Sequence, residues 1–345
     1  MRKIFLVLFR ETFTYVERNA INNLAPGKCF NNKISTVNRI TLFLICMMVV
    51  AAASAQTDTD RVYVFSYFKD NGKDGLHLAY SNDGYRFVAL KKDSSFLTPV
   101  LSKDSLMRDP CIIRGADNKF HMVWTVSWND KGIGYASSPD LVNWSEQQYI
   151  PVMAQEDSAR NCWAPEITYD AKKKQYMIYW ATTIAGKYPS DTAVERGYNH
   201  RLYYVTTKEF KKFSKTKLLY DQGFNVIDAT IVPDSNRFVM FLKDETRYPP
   251  QKNIRVATSD KLTEGYSFPS FPITGNYWAE GPTVAKVKGQ WVVYFDKYRD
   301  HKYGAVASKD LKSWEDISDK LRMPTGIRHG TIFTITRSEL AILLK

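Results

Sequence analysis

The chain has 345 residues, 44% of them hydrophobic and 14% aromatic, and a formal net charge of +12 at pH 7. That much apolar material excludes a disordered chain and is enough for a large core. Residues 1 to 55 hold seven Lys/Arg against two Asp/Glu, so the remainder carries 41 against 34; at +7, with no basic run interleaved with aromatics, it gives no support to nucleic acid as a partner.

Read from its start, the chain first offers a segment foreign to the fold. Lys33 and Arg39 precede an apolar run from Ile40 to Ala53, and Ala53-Ser54-Ala55 has the small residues of a leader-peptidase site. The run is too short to span a bilayer comfortably. Residues 1 to 55 are therefore expected to be an upstream extension and a signal peptide cleaved near Ala55, which directs the protein to the periplasm or the cell exterior without stable membrane insertion. Phe43 stands three residues before Cys46, where a lipoprotein usually has Leu.

Residues 56 to 345 carry a repeat. Arg61 to Phe68 and Leu76 to Ser81 read as two strands, followed by the turn Asn82 to Phe87, with no partner strand before them. Further strands are predicted at 120 to 128, 175 to 183, 237 to 244 and 290 to 297. Each is followed by a strand ending in Ser or Thr and a turn closed by an aromatic, as in Asp140 to Trp144 and Asp310 to Trp314. Each unit opens on a short motif: Arg108-Asp109-Pro110, Ala164-Pro165-Glu166, Val226-Ile227-Asp228, Ala279-Glu280-Gly281-Pro282 and Arg328-His329-Gly330. The steps from Asp109 to Glu166, Asp228, Glu280 and His329 are 57, 62, 52 and 49 residues, about the length of a four-stranded blade. The last motif has no outer strands after it and the first outer strands have no inner one. The sequence thus predicts an all-β fold, a single five-bladed β-propeller whose last blade is closed by both termini, with Ser338 to Lys345 left over. Cys111 and Cys162 sit in strands of the core and are read as free thiols.

Inner strands of a propeller line its axis, so Asp109, Asp228 and Glu280 should meet at one mouth of the channel. Carboxylates sharing a pocket cannot all ionise freely; one keeps a proton beside another that has lost it. Hydrolysis of a glycosidic bond needs that pairing, an acid for the leaving oxygen and a base for water. Trp163, Trp278 and Trp124 are read as core or pocket wall, one or two of them touching sugar, Arg328 is a further candidate contact, and Glu166 is either a substrate contact or a structural carboxylate beneath it. A strand-initial Asp or Glu is ordinarily a turn residue; three in phase with a repeat point to catalysis. His77, His121, His200 and His301 have no metal-ligand spacing and are read as structural or surface residues.

Over about residues 60 to 336, these motifs resemble those of the five-bladed glycoside hydrolases of family 43. The resemblance implies an inverting enzyme, with the general base on Asp109 of Asp109-Pro110-Cys111-Ile112, the general acid on Glu280 of Glu280-Gly281-Pro282, and a residue that orients and tunes the acid on Asp228. It further implies that His329 faces a hydrated structural calcium on the axis, no other cofactor being expected; from the residues alone His329 is either a buried hydrogen-bonded histidine or a ligand to a metal's water shell. The expected partner is an oligo- or polysaccharide and the expected state a monomer. The favoured reading is an exo-acting α-L-arabinofuranosidase or β-xylosidase; a galactan-active enzyme or a non-catalytic carbohydrate-binding propeller are the alternatives. The long insertion from Ile184 to His200, with Tyr188, Glu195, Arg196 and Tyr198, is expected to shape the pocket.

Overall fold

The computed structural model describes residues 60–188 and 196–345. The readings of residues 1 to 55 and of Glu195 lie outside them. The described chain forms five small antiparallel sheets. Blade I is β4 (Arg108–Arg114), β5 (Phe120–Thr125), β6 (Ile133–Ser138) and β7 (Gln148–Ile150). Blade II is β8 (Trp163–Asp170), β9 (Gln175–Thr183), β10 (His200–Thr207) and β11 (Lys217–Tyr220). Blade III has three strands, β12 (Val226–Asp234), β13 (Arg237–Asp244) and β14 (Asn253–Ser259), and blade IV is β15 (Glu280–Val287), β16 (Gln290–Lys297), β17 (Lys302–Ser308) and β18 (Glu315–Asp316). In blade V, β19 (Ile332–Thr336) pairs antiparallel with β1 (Arg61–Tyr67), which continues into β2 (His77–Ser81) and β3 (Val88–Ala89). The chain ends thus close the last blade, as the unpaired motifs required.

The repeat is physical as well as textual. Three blade turns use one device: the hydroxyl of Ser81, Ser138 or Ser308 accepts two backbone N–H groups of the turn, and the Asp two residues on accepts two more. The sheets pack face to face through apolar layers, such as the one in which Val123, Cys111, Ile167, Ile178 and Trp180 meet. Cys111 and Cys162 are buried free thiols, as expected.

The residues after β19 form a helix, α1 (Arg337–Leu343), started by a capping box in which Thr336 and Glu339 satisfy each other's backbone N–H groups. Its Leu340 and Leu343 pack with Val62, Val64 and Ile335. The helix therefore locks the closing strand against β1.

Four inner strands begin alike. The pairing register slips by one bulge between Arg108 and Cys111, Trp163 and Glu166, Ile227 and Thr230, and Glu280 and Thr283. The second residue of each bulge takes a positive φ: Asp109 52°, Ala164 45°, Asp228 49° and Gly281 59°. Bulges re-aim side chains that a regular strand would send to alternate faces. Here they set two levels on the axis, one at the motif and one at Cys111, Glu166, Thr230, Thr283 and Thr331.

Candidate active site

A cavity of about 380 Å³ opens at the motif end of the channel, lined by Asp109, Asp228, Glu280, Arg108, Arg328 and His329 among others. The three carboxylates read from the sequence do converge.

Asp109 accepts from the Thr125 hydroxyl at 2.9 Å and faces His329 Nδ1 across 3.3 Å. Burial pushes its carboxyl upward, but the His329 contact, helped by Arg108 and Thr125, outweighs it and holds Asp109 below the usual carboxylate range. Burial likewise opposes charge on His329, yet the bond to Asp109 and the charges of Asp228, Asp109 and Glu166 raise the imidazole to about 9. Asp228 is raised to about 6, first by burial and then by repulsion from Glu280 and Asp109, against the pull of His329 and Lys243. One of its oxygens accepts the Gly281 N–H at 3.1 Å. Asp228 thereby grips the backbone next to Glu280. Gly281 could be no other residue: a Cβ there would lie 2.3 Å from His329 Cγ, on a backbone with φ of +59°.

Glu280 is held by two cations. Its Oε1 accepts from Arg328 Nη2 at 3.2 Å and its Oε2 from Lys243 Nζ at 2.9 Å. Lys243 is buried and also pairs with Glu245 at 2.7 Å; Arg328 also donates to Asp296 at 2.6 Å. Asp296 is pushed up to about 6 by burial and by Glu280.

The other expected wall residues part company. Trp163 lines the cavity and donates its indole N–H to the Trp128 carbonyl at 3.0 Å. Arg328 lines it as well. Trp124 does not: it is 0% exposed and packs in the core over Gly134, where a Cβ would fall 2.0 Å from the indole. Its strand position faces the neighbouring blade, not the axis. Trp278 lies outside the lining of this cavity, beside Tyr298 and the cations Arg247, Lys252 and Arg299. Glu166 is buried one level deeper, where it accepts from Thr230 at 2.7 Å and from Tyr179 and Thr331 at 3.4 Å each, and lines the cavity at the far end of the channel. These contacts place it outside the lining of the motif-end cavity. From the Ile184 to His200 insertion, Arg196, Tyr198 and His200 line a second cavity of about 380 Å³, which shares Trp128, Trp163 and Glu245 with the first.

Sequence reading missed Thr125, Lys243 and Asp296, and they share one signal. Each is the cross-strand partner of the residue that opens a bulge: Thr125 of Arg108, Lys243 of Ile227, Asp296 of Glu280. From there each reaches the next blade: Thr125 accepts the Ala164 N–H at 2.8 Å, Lys243 donates to Glu280, and Asp296 accepts from Arg328. A polar residue at the end of a second strand was the available clue. Asn71, also missed, accepts from both Arg108 at 3.1 Å and the Trp128 indole at 3.0 Å.

The hydrated calcium expected beside His329 would reach the imidazole through water; in the protein alone the ring turns Nδ1 to Asp109 at 3.3 Å, and that bond with the charges of Asp228, Asp109 and Glu166 favours its protonated form.

Residues 58–341 match the family model described as "Probable glycosyl hydrolase domain", the family 43-related one. No curated protein matches the chain. Among solved structures, a thermostable family-43 glycoside hydrolase is similar at 16% identity with a TM-score of 0.50, over 66% of this chain and 82% of that one. An α-L-arabinofuranosidase from Lactobacillus brevis is 18% identical over 61% of this chain and 72% of its own, with a TM-score of 0.46. Xyloglucan PUL GH43B of Bacteroides ovatus is 17% identical with a TM-score of 0.47, and here the match covers 65% of this chain but only 42% of the other. At 16% identity the likeness to the thermostable enzyme speaks for the fold alone.

Proposed function

Since the chain belongs to the family 43-related glycoside hydrolases, we propose that it is an inverting exo-glycosidase that removes terminal pentose, α-L-arabinofuranosyl or β-xylosyl, from glycans outside the cytoplasm. The observation that carries this reading is the gathering of Asp109, Asp228 and Glu280 in one cavity of about 380 Å³. Such a volume suits one terminal sugar better than a chain threading through. A binding module would need no such triad.

Asp109, kept ionised by His329, takes a proton from water as the water oxygen bonds to the anomeric carbon. The bond from that carbon to the leaving oxygen breaks, and Glu280 gives the leaving oxygen its proton. Both oxygens of Glu280 accept from cations in the free protein, and substrate entering between Arg328 and Lys243 would release one of these contacts and turn the carboxyl toward the leaving oxygen. Asp228 fixes the Gly281 backbone and repels a charge on Glu280.

Screening against aryl arabinofuranosides, xylosides and galactosides tests the sugar, and proton NMR of the first-formed product tests the stereochemistry. A product that retains the substrate's configuration would sink the assignment of base and acid. The roles separate in the variants. Glu280→Ala should spare an activated aryl glycoside, whose leaving group needs no proton, far more than a natural glycan; Asp109→Ala should damage both.

A further inference from the structure

The cations of the cavity are unequally committed. Lys243 and Arg328 each bond two carboxylates. Arg108, on the same wall, makes no ion pair among the described residues. One of its five N–H groups goes to the neutral Asn71 carbonyl, while its guanidinium lies over Trp128 at 4.2 Å and Phe68 at 4.6 Å. A planar fork packed on two rings and half-buried, with Asp109, Glu280 and Asp228 acting on it only from beyond ion-pair distance, is already ordered to receive a planar anion through two parallel hydrogen bonds. Asn71 also takes the Trp128 indole N–H, so arginine, indole and amide form one rigid unit. Trp128 belongs to both cavities. Arg108 therefore stands where a terminal sugar would join the rest of its glycan.

Arg108 has company at this end of the molecule. Arg160 lies over Tyr198 at 4.1 Å, and Arg299 over Trp278 at 4.7 Å; neither makes an ion pair among the described residues. Arg160 precedes β8 and Arg299 follows β16, so both emerge where the motifs do. Arginines laid on aromatic faces around the mouth offer anionic sugars a stacking surface and a charge together.

Resting on the glycosidase reading above, we infer that the glycan this site accepts is acidic: the sugar on the leaving side carries a carboxylate, and Arg108 is the residue that reads it. The substrate class is then a uronic-acid-containing glycan, and the neutral pentose is what is cut from it.

Calorimetric titration of the purified protein with methyl α-D-galacturonoside and with its methyl ester tests this, because the ester removes only the charge. The acid is expected to bind at least tenfold more tightly than the ester. Arg108→Met, which keeps an apolar stem between the rings, should erase the difference, and Arg108→Lys should keep a reduced preference because charge remains without the fork. Equal or undetectable binding of both probes by the wild type, or an undiminished preference in Arg108→Met, would overturn the inference. Should Arg108→Met fail to melt cooperatively, the wild-type comparison and Arg108→Lys still decide it. Assaying the wild type for cleavage of aryl pentosides separates this inference from the enzymatic reading: acid preference in a wild type that cleaves none would remove the enzyme and leave Arg108 standing, whereas cleavage without acid preference would remove Arg108 alone.

Discussion

At the level of the motifs the channel is crowded with paired charge, while at the next level along the same strands a single carboxylate stands among hydroxyls and a thiol. Asp109 lies within the bulge of its inner strand and Glu166 just past the bulge of the next, each side chain largely buried. Burial pushes both upward. Asp109 nevertheless ends below its usual range because His329 faces it, and Glu166, whose partners are Thr230, Tyr179 and Thr331, ends at about 7. The repeat supplies positions; the groups across the axis decide what an acid placed there becomes.

The sharpest test of that contrast is activity. Asp109→Asn keeps the shape but removes the base, and should lower turnover by about 10²- to 10⁴-fold with little change in melting temperature. Glu166→Gln should leave turnover within a few-fold. Comparable losses in kcat from both variants would mean that the two levels work as one unit.

Gly281 joins the levels, since its missing Cβ makes room for the His329 ring. Gly281→Ala must strain a positive φ and displace the imidazole, at a cost of about 1–3 kcal/mol of stability. It should also weaken the hold on Asp109, so thermal melting and turnover should fall together. A loss of turnover without a loss of stability would place Gly281 in the chemistry only.

Much of this was legible in the sequence, for reasons that differ by residue. Asp109, Asp228 and Glu280 could be found because blades repeat, and phase along the chain becomes proximity on the axis. The closure of blade V followed from a motif lacking outer strands and outer strands lacking a motif. The bulges were not legible. They put Glu280 one residue before the positive-φ position that Asp109 and Asp228 occupy, and they drop Glu166 two residues below it, so four acids that read alike divide between two levels. Trp124 could not be divided between core and pocket wall because in a second strand an aromatic can face a neighbouring blade as readily as the axis. Lys243 and Asp296 were passed over because a charged strand end ordinarily means solvent, and only the ring geometry turns those ends toward the next motif.

The deeper level should show itself in the pH dependence of stability. Glu166 keeps its proton up to about 7 in the folded protein, against 4.5 for an ordinary glutamic acid. Between those values the folded state binds more protons than the unfolded one, so stability falls as pH rises through this window and the full penalty applies above 7. Glu166→Gln removes the penalty. Relative to wild type it should gain roughly 3 kcal/mol at pH 8, with the gain fading toward pH 4.5 in denaturant titrations run side by side. A gain independent of pH would mean that Glu166 already has a compensating cation and that the two levels do not differ as described.

The smallest expected effect concerns the hydroxyl that holds this acid. Thr230 donates to Glu166 at 2.7 Å, and that bond pulls the carboxyl down against burial. Thr230→Val keeps the side chain's shape and deletes the donor. At pH 8, where Glu166 is charged, the bond is charge-assisted and its loss should cost about 1.5–2 kcal/mol; at pH 5 the acid is neutral, and the cost should shrink to about 1 kcal/mol or less. The titration of Glu166 should move further above 7, because the only change is the removal of a group that favoured its charge. Glu166 can be followed directly by carbon NMR of its labelled carboxyl. A downward shift in Thr230→Val would mean that water or His329 takes over the vacated place, and the lower level would then be partnered much as the upper one is.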